Sequence, residues 1–318
     1  MQPRILLVTS TGIPLSRVEE LRAALPSVEI VTAPDDPDAI RACISGVHAL
    51  IGCPRACFNA ELLQRARPTL RWIHVPGAGC EEFLIPELVA TDVILTAGRI
   101  IQGPSVADHA LALLLALTRN LAYVLRGIAN PPRPIELRGK GALVVGLGGI
   151  GLLVAERLRA FGMRVIGVDP EVVPMLQAVD RVDPPERLYE ALGAADIVVV
   201  TAPLTPATRR RFSAHEFAAM LPHAIFINVA RGRIVDTEAL TDALRCGRIR
   251  AAGLDVTDPE PLPDDHPLRS MSNVVITPHI AGPSDGNRER STALIVRNIE
   301  RYAQGLPLLN VVDKIRGY

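Results

Sequence analysis

The segment Gly146-Leu147-Gly148-Gly149-Ile150-Gly151 constrains the fold more than any other stretch of this 318-residue chain. It follows the apolar run Ala142-Leu143-Val144-Val145 and opens a helical pattern over 152–160. A G-x-G-x-x-G between a strand and a helix has a task for each glycine. The first allows a tight turn, the second lets backbone approach a pyrophosphate, and the third lets helix pack on strand, with the phosphates at the positive helix N-terminus. Gly149 and Ile150, at the start of that helix, complete the expected cofactor loop. The next strand pattern, 164–168, ends at Asp169, 18 residues beyond Gly151. A carboxylate there accepts hydrogen bonds from ribose hydroxyls. Its charge repels a 2′-phosphate and Pro170-Glu171 supplies no cation, so these residues favour NAD over NADP.

Around this motif, short β-branched runs alternate with helical spacing. Strands are expected at 4–8, 28–32, 49–53, 71–75 and 93–96, and in a second series at 142–145, 164–168, 196–201, 225–229, 251–254 and 274–277. Such alternation predicts parallel sheets covered on both faces, hence an α/β chain of two doubly wound domains. Between the series, the pattern predicts one long helix over 105–126, capped by Ser105 and apolar almost all round, with part of its surface buried against another subunit. Pro131, Pro132 and Pro134 then break the chain. A last helix over about 284–304 and a strand-like tail at 308–313 return to the first series. The expected boundaries are therefore 1–101 with 282–318 for a substrate domain and 102–281 for an inserted dinucleotide-binding domain.

Composition narrows the partners. Hydrophobic residues make up 48% of the chain, which excludes disorder. Lys and Arg (34) balance Asp and Glu (34), so no net field draws the protein to nucleic acid or to anionic lipid. The apolar stretch 110–117 is far shorter than the ~20 residues that span a bilayer. Cys43, Cys53, Cys57, Cys80 and Cys246 form no CxxC pair and no zinc spacing, so reduced thiols in a cytoplasm and no metal are expected.

Three further motifs carry chemistry. In Asn228-Val229-Ala230-Arg231-Gly232-Arg233 an apolar strand delivers Arg231 at its carboxyl end, the edge that faces the ligand crevice in open α/β sheets. A guanidinium fork suits an α-keto carboxylate. Gly253-Leu254-Asp255-Val256-Thr257-Asp258-Pro259-Glu260-Pro261 and Thr277-Pro278-His279-Ile280-Ala281-Gly282 also follow apolar strands, so Glu260 and His279 can converge on the same edge. A carboxylate beside an imidazole fixes its tautomer and stabilises its protonated form, as a general acid/base requires.

These motifs, together with Ala202-Pro203-Leu204-Thr205, Thr208, and the ending Leu309-Asn310-Val311-Val312-Asp313 with Gly317-Tyr318, resemble the D-isomer-specific 2-hydroxyacid dehydrogenases over nearly the whole chain. The resemblance implies a Rossmann dinucleotide-binding domain inserted in a flavodoxin-like substrate domain, and hydride transfer between NAD(H) and a small 2-hydroxy or 2-keto acid. It implies that Arg231 binds the substrate carboxylate, that His279 exchanges the proton and that Glu260 orients it. It places Asp255 at the nicotinamide carboxamide and puts Ala202, Pro203, Thr208, Val229, Ala230, Arg231, His279 and Gly282 with the glycine loop around the cofactor. It also implies that backbone amides of Gly77-Ala78-Gly79 hold the substrate, and that the protein is a homodimer. Departures from the pattern are Asp108 where relatives usually carry glutamate, Cys80 where an apolar residue is common, and a shortened stretch over 127–139. His109 reads as a structural histidine on the long helix. An alternative from another class remains open: related corepressors bind NAD(H) without significant turnover, and NADH oxidation with keto acids discriminates the two.

Overall fold

The computed structural model describes residues 2–171 and 177–317, and Tyr318 of the ending motif lies outside them. The chain divides into two compact units, Met1–Gln102 with Ser284–Tyr318, and Gly103–Pro283.

The first unit opens with β1 (Arg4–Val8), α1 (Leu15–Ala24), β2 (Glu29–Ala33), α2 (Pro37–Cys43), β3 (Ala49–Ile51), α3 (Ala60–Ala66), β4 (Trp72–Val75), α4 (Pro86–Val89) and β5 (Ile94–Ala97). Its sheet runs β2-β1-β3-β4-β5 with every pair parallel, the flavodoxin-like order. Side chains of one strand feed opposite faces: Leu6 and Val8 join one apolar cluster, Ile5 and Leu7 the other. Asp36 and Asn59 accept backbone N–H bonds at the starts of α2 and α3, so each helix begins where its sequence supplies a cap.

The second unit contains α5 (Gly103–Thr118), α6 (Leu121–Leu125), β6 (Gly141–Val145), α7 (Gly149–Ala160), β7 (Arg164–Val168), β8 (Arg181–Asp183), α8 (Leu188–Leu192), β9 (Ile197–Val200), α9 (Ala214–Ala219), β10 (Ile225–Asn228), α10 (Thr237–Arg245), β11 (Ala251–Leu254), α11 (Pro267–Ser270) and β12 (Val274–Ile276). The order β12-β11-β10-β9-β6-β7-β8 is the Rossmann winding with one added strand, and its order reverses between β6 and β9. Leu143, Val198 and Phe226 fill one layer of the core; Val144, Val199 and Ile227 fill the other.

The chain then returns to the first unit as α12 (Asn287–Ala303), which buries Ile295, Val296 and Ile299. The buried Asn298 holds the tail by accepting from Leu309 N (2.8 Å) and donating to Leu309 O (3.1 Å).

Three expectations need correction. The single helix over 105–126 is two: Asn120 adopts a left-handed conformation (φ 61°) that Asn tolerates, which ends α5 and precedes α6. Ser105 lies inside the first turn of α5 and is not its cap. Within its own unit, Leu113 and Leu117 of α5 close over Gly253 of β11 and other side chains of the helix pack with α7. On α6, Leu121, Val124 and Leu125 are exposed. Finally, the tail over 308–313 forms one antiparallel bridge, Thr96 to Val311, in place of a strand.

Candidate active site

The glycine loop sits at the point where strand order reverses. Gly146 has φ +94°, which an L side chain rarely adopts, and a Cβ there would stand 2.6 Å from the Ala202 backbone. A Cβ on Gly151 would stand 1.9 Å from Gly146 O, so α7 approaches β6 only because residue 151 lacks a side chain. Thr201, just past β9, donates its hydroxyl to Gly146 O (2.6 Å) and so ties the two central strands' loops together. Around Gly148, by contrast, a Cβ would meet nothing within 4 Å. That opening lies at the N-terminus of α7, where backbone N–H groups and the helix dipole favour an anion.

Asp169 is the neighbour of this loop. Its Oδ2 accepts Leu147 N (2.7 Å) and its Oδ1 accepts Glu171 N (2.9 Å), so the carboxylate is fixed against the turn. On the other side, Thr208 folds the loop after β9 by donating to Pro203 O (2.6 Å) and accepting from Thr205 N (2.8 Å). Ala202 within that loop is buried and Pro203 is exposed.

Arg231 emerges after β10. Asn228, fully buried, shapes this exit: its Oδ1 accepts Ala230 N (3.0 Å) and its Nδ2 donates to Arg231 O (3.0 Å). Arg231 Nη1 donates to Ala230 O (2.8 Å) and the side chain is partly exposed, while Val229 and Ala230 are buried beneath it in sequence. A Cβ on Gly232 would lie 1.9 Å from Thr257 O, so the loops after β10 and β11 touch backbone to backbone. That contact brings the Arg231 loop against the segment leading to Glu260.

Glu260 Oε1 stands 2.6 Å from His279 Nδ1, with both side chains nearly half exposed. His279 itself occupies the left-handed region (φ 54°), and its backbone N donates to Asp255 O (2.8 Å). The Asp255 side chain is 1% exposed. Its Oδ1 accepts from Thr277 Oγ1 (2.6 Å) and Ile280 N (3.0 Å), and its Oδ2 accepts from Ala281 N (3.0 Å). Burial alone would raise the pKa of this carboxyl, but hydrogen bonds from His109, Thr277, Ala281 and Ile280 outweigh it and bring it down to about 2. Asp255 thus holds the loop that carries His279, a task that its sequence motif did not reveal.

His109, read from sequence as structural, reaches that loop directly: Nε2 is 2.8 Å from Thr277 Oγ1 and 3.4 Å from Asp255 Oδ1. Ser105 donates to Gly282 O (2.6 Å). Asp108, the shortened carboxylate, meets Arg157 Nε of α7 at 2.7 Å. The sequence motifs give Thr201, Asn228 and Thr277 no role of their own. Their signal was only a polar side chain at the end of an apolar strand.

In the first unit, Gly77-Ala78-Gly79 follow β4, and Gly98 N donates to Gly77 O (2.8 Å). Arg55 follows β3 and donates to Phe58 O (2.7 Å), while Arg99, past β5, donates to Val311 O (2.6 Å). Cys80 is buried, with Sγ 3.9 Å from Gly317 O. Among the described residues, no three His, Cys, Asp or Glu side chains gather as a metal site would require, and no helix is long and apolar enough to cross a membrane.

Comparison with known proteins gives a consistent result. The profile described as "D-isomer specific 2-hydroxyacid dehydrogenase, NAD binding domain" matches residues 111–281. A D-3-phosphoglycerate dehydrogenase of Methanocaldococcus jannaschii is 34% identical over 259 residues, covering 80% of this chain and 49% of the relative. A glyoxylate reductase of Thermofilum pendens is 34% identical over 264 residues, covering 78% of this chain and 76% of the relative. The chain thus spans about half the length of the phosphoglycerate dehydrogenases it matches. Among solved structures, a D-isomer specific 2-hydroxyacid dehydrogenase from Xanthobacter autotrophicus Py2, in complex with NADPH and MES, is 30% identical with a TM-score of 0.81, covering 100% of both chains.

Proposed function

Because the chain belongs to the D-isomer specific 2-hydroxyacid dehydrogenases, we propose that it moves a hydride between NAD(H) and a small 2-hydroxy or 2-keto acid. The observation that carries this reading is the Glu260–His279 pair at 2.6 Å, on loops that leave the same sheet as the glycine loop and Arg231.

The residues present fit a dinucleotide. The space open at Gly148, the N-terminus of α7 and the carboxylate of Asp169 held against the turn suit a pyrophosphate and a ribose. The Xanthobacter structure contains NADPH, so the preference of this chain for NAD rests on its own Asp169. When bound, the nicotinamide supplies the hydride in reduction and accepts it in oxidation.

The chain's own side chains manage charge and proton. The Arg231 guanidinium pairs with the substrate carboxylate and polarises the carbonyl. In reduction, the carbonyl carbon receives the hydride while its oxygen takes a proton from His279 Nε2; oxidation returns both. Glu260, by accepting Nδ1–H, keeps Nε2 as the nitrogen that exchanges that proton. Ala202, Pro203, Thr208, Val229, Ala230 and Gly282 line the cofactor.

The test is loss of nicotinamide absorbance when the protein is mixed with NADH or NADPH and a panel of glyoxylate, hydroxypyruvate and phenylpyruvate. Turnover with NADH preferred supports the reading. Tight NADH binding without turnover on any acid would instead favour a regulatory NAD(H)-binding protein.

A further inference from the structure

We infer that Ser105 and His109 of α5 are positioning residues that clamp both ends of the segment 277–282 and so set the placement of His279, an inference that rests on the dehydrogenase reading above.

The two residues are four apart on one helix and therefore share a face. Ser105 Oγ holds the far end of the segment at Gly282 O (2.6 Å), and His109 Nε2 holds the near end at Thr277 Oγ1 (2.8 Å). The Thr277 hydroxyl has a single hydrogen, which goes to Asp255 Oδ1 at 2.6 Å. Toward His109 it offers only a lone pair, so Nε2 carries a proton and donates. The donor also lies 3.4 Å from Asp255 Oδ1, the acidic oxygen facing it from β11's exit loop.

The segment needs external support. His279 sits at φ 54°, a region that a residue with a Cβ occupies only where its surroundings over-determine it. The Glu260 contact cannot supply that support, because both side chains are nearly half exposed and exposed ion pairs are weak constraints. The rigid part of the arrangement is the backbone, with Ile280 N and Ala281 N on Asp255, and α5 bracing Thr277 and Gly282. Proton transfer is sensitive to small displacements of the acid, so a loosened segment lowers the rate of the chemical step without weakening cofactor binding.

The experiment compares the parent with His109→Leu, His109→Gln and Ser105→Ala in steady-state kinetics and in amide hydrogen exchange over 277–282. Loss of one hydrogen bond to the segment should lower kcat about tenfold in His109→Leu and leave KM for NADH within about twofold. Exchange at Ile280 and Ala281 should quicken in the same variant and in Ser105→Ala. The glutamine side chain places an N–H near the position of Nε2, so His109→Gln should restore both readouts toward the parent. Unchanged kcat and exchange in His109→Leu would overturn the clamp, as would a glutamine variant as impaired as the leucine one. A parent that turns over no 2-keto acid sinks the dehydrogenase reading, and the exchange comparison then decides the clamp alone.

Discussion

His74 gives the first unit an acid-labile core. It lies on β4 with no exposed surface, its Nδ1 is 2.8 Å from Thr96 Oγ1, and its Nε2 meets no partner among the described residues. Burial pushes its pKa down from 6.5 to about 4, because a charged ring would carry an N–H at Nε2 with no acceptor. The depressed value means that the folded unit prefers the neutral ring. Its stability is complete above pH 6.5 and declines as the unfolded chain takes up a proton, the loss continuing until the folded ring titrates near pH 4. The full difference of 2.5 pH units corresponds to about 3.4 kcal/mol, and the part lost between pH 7.5 and pH 5 to about 2 kcal/mol. The chain's one tryptophan, Trp72, donates to the same Thr96 hydroxyl (2.8 Å), so its fluorescence reports unfolding at the spot in question. Urea titrations followed at Trp72 should show the parent's midpoint falling on the order of 1 M further than that of His74→Leu over this pH interval. Other titrating groups are common to both proteins and cancel in the comparison. Equal pH dependence of the two midpoints would show that His74 is protonated in the folded unit at no cost and refute the reasoning.

Asp255→Asn should destabilise the second unit by about 2 kcal/mol, because an amide cannot accept on both sides and leaves a buried N–H without a partner. The same carboxylate's pKa of about 2 implies stability present above 3.8 and lost as pH falls toward 2, so calorimetry should show parent and variant converging in acid; a fixed gap would contradict this. Arg231→Lys keeps the charge but loses the planar fork, so kcat/KM for the keto acid should fall at least roughly tenfold while the Kd for NADH is held; equal losses in both would assign Arg231 to the cofactor or the fold. Leu125, 87% exposed on α6, is the side chain we expect to support self-association, and Leu125→Glu should convert a dimer to a monomer in light scattering. A parent that is already monomeric at micromolar concentration would end that proposal.

Strand-helix alternation made both sheets legible, and the glycine loop identified which of them carries the cofactor site. The failures have local causes. β8 was missed because Arg181-Val182-Asp183 is short and two-thirds charged; it pairs with β7 through backbone, and Asp183 is paired with Arg181 and Arg187. The end of α5 was missed because Asn120 breaks the helix through a conformation that no apolar pattern encodes. The break is then supported from a distance by Ile135 N on Thr118 O (2.9 Å) and by Asn120 Nδ2 on Pro132 O (2.6 Å). Local spacing carries no information about such returns.

The candidate site divides along the same line. Arg231, Glu260 and His279 were readable because each follows an apolar strand, and a carboxyl strand end is where an α/β sheet presents its chemistry. What places them is not readable, because Asn228, Asp255, Thr277, Ser105 and His109 act through hydrogen bonds to backbone or to one another across 2 to 177 positions of sequence. Each is a polar group in a setting that disfavours unpaired polar atoms, so its partner is dictated by burial once the fold exists. Asn228 must satisfy its amide within the β10 exit, and doing so shapes the turn before Arg231. Asp255 must satisfy its carboxylate within the second unit, and the donors within reach are those of the segment bearing His279. Under the proposed function, Arg231, Glu260 and His279 therefore remain partly exposed, while buried neighbours such as Asn228 and Asp255 fix the backbone from which they project.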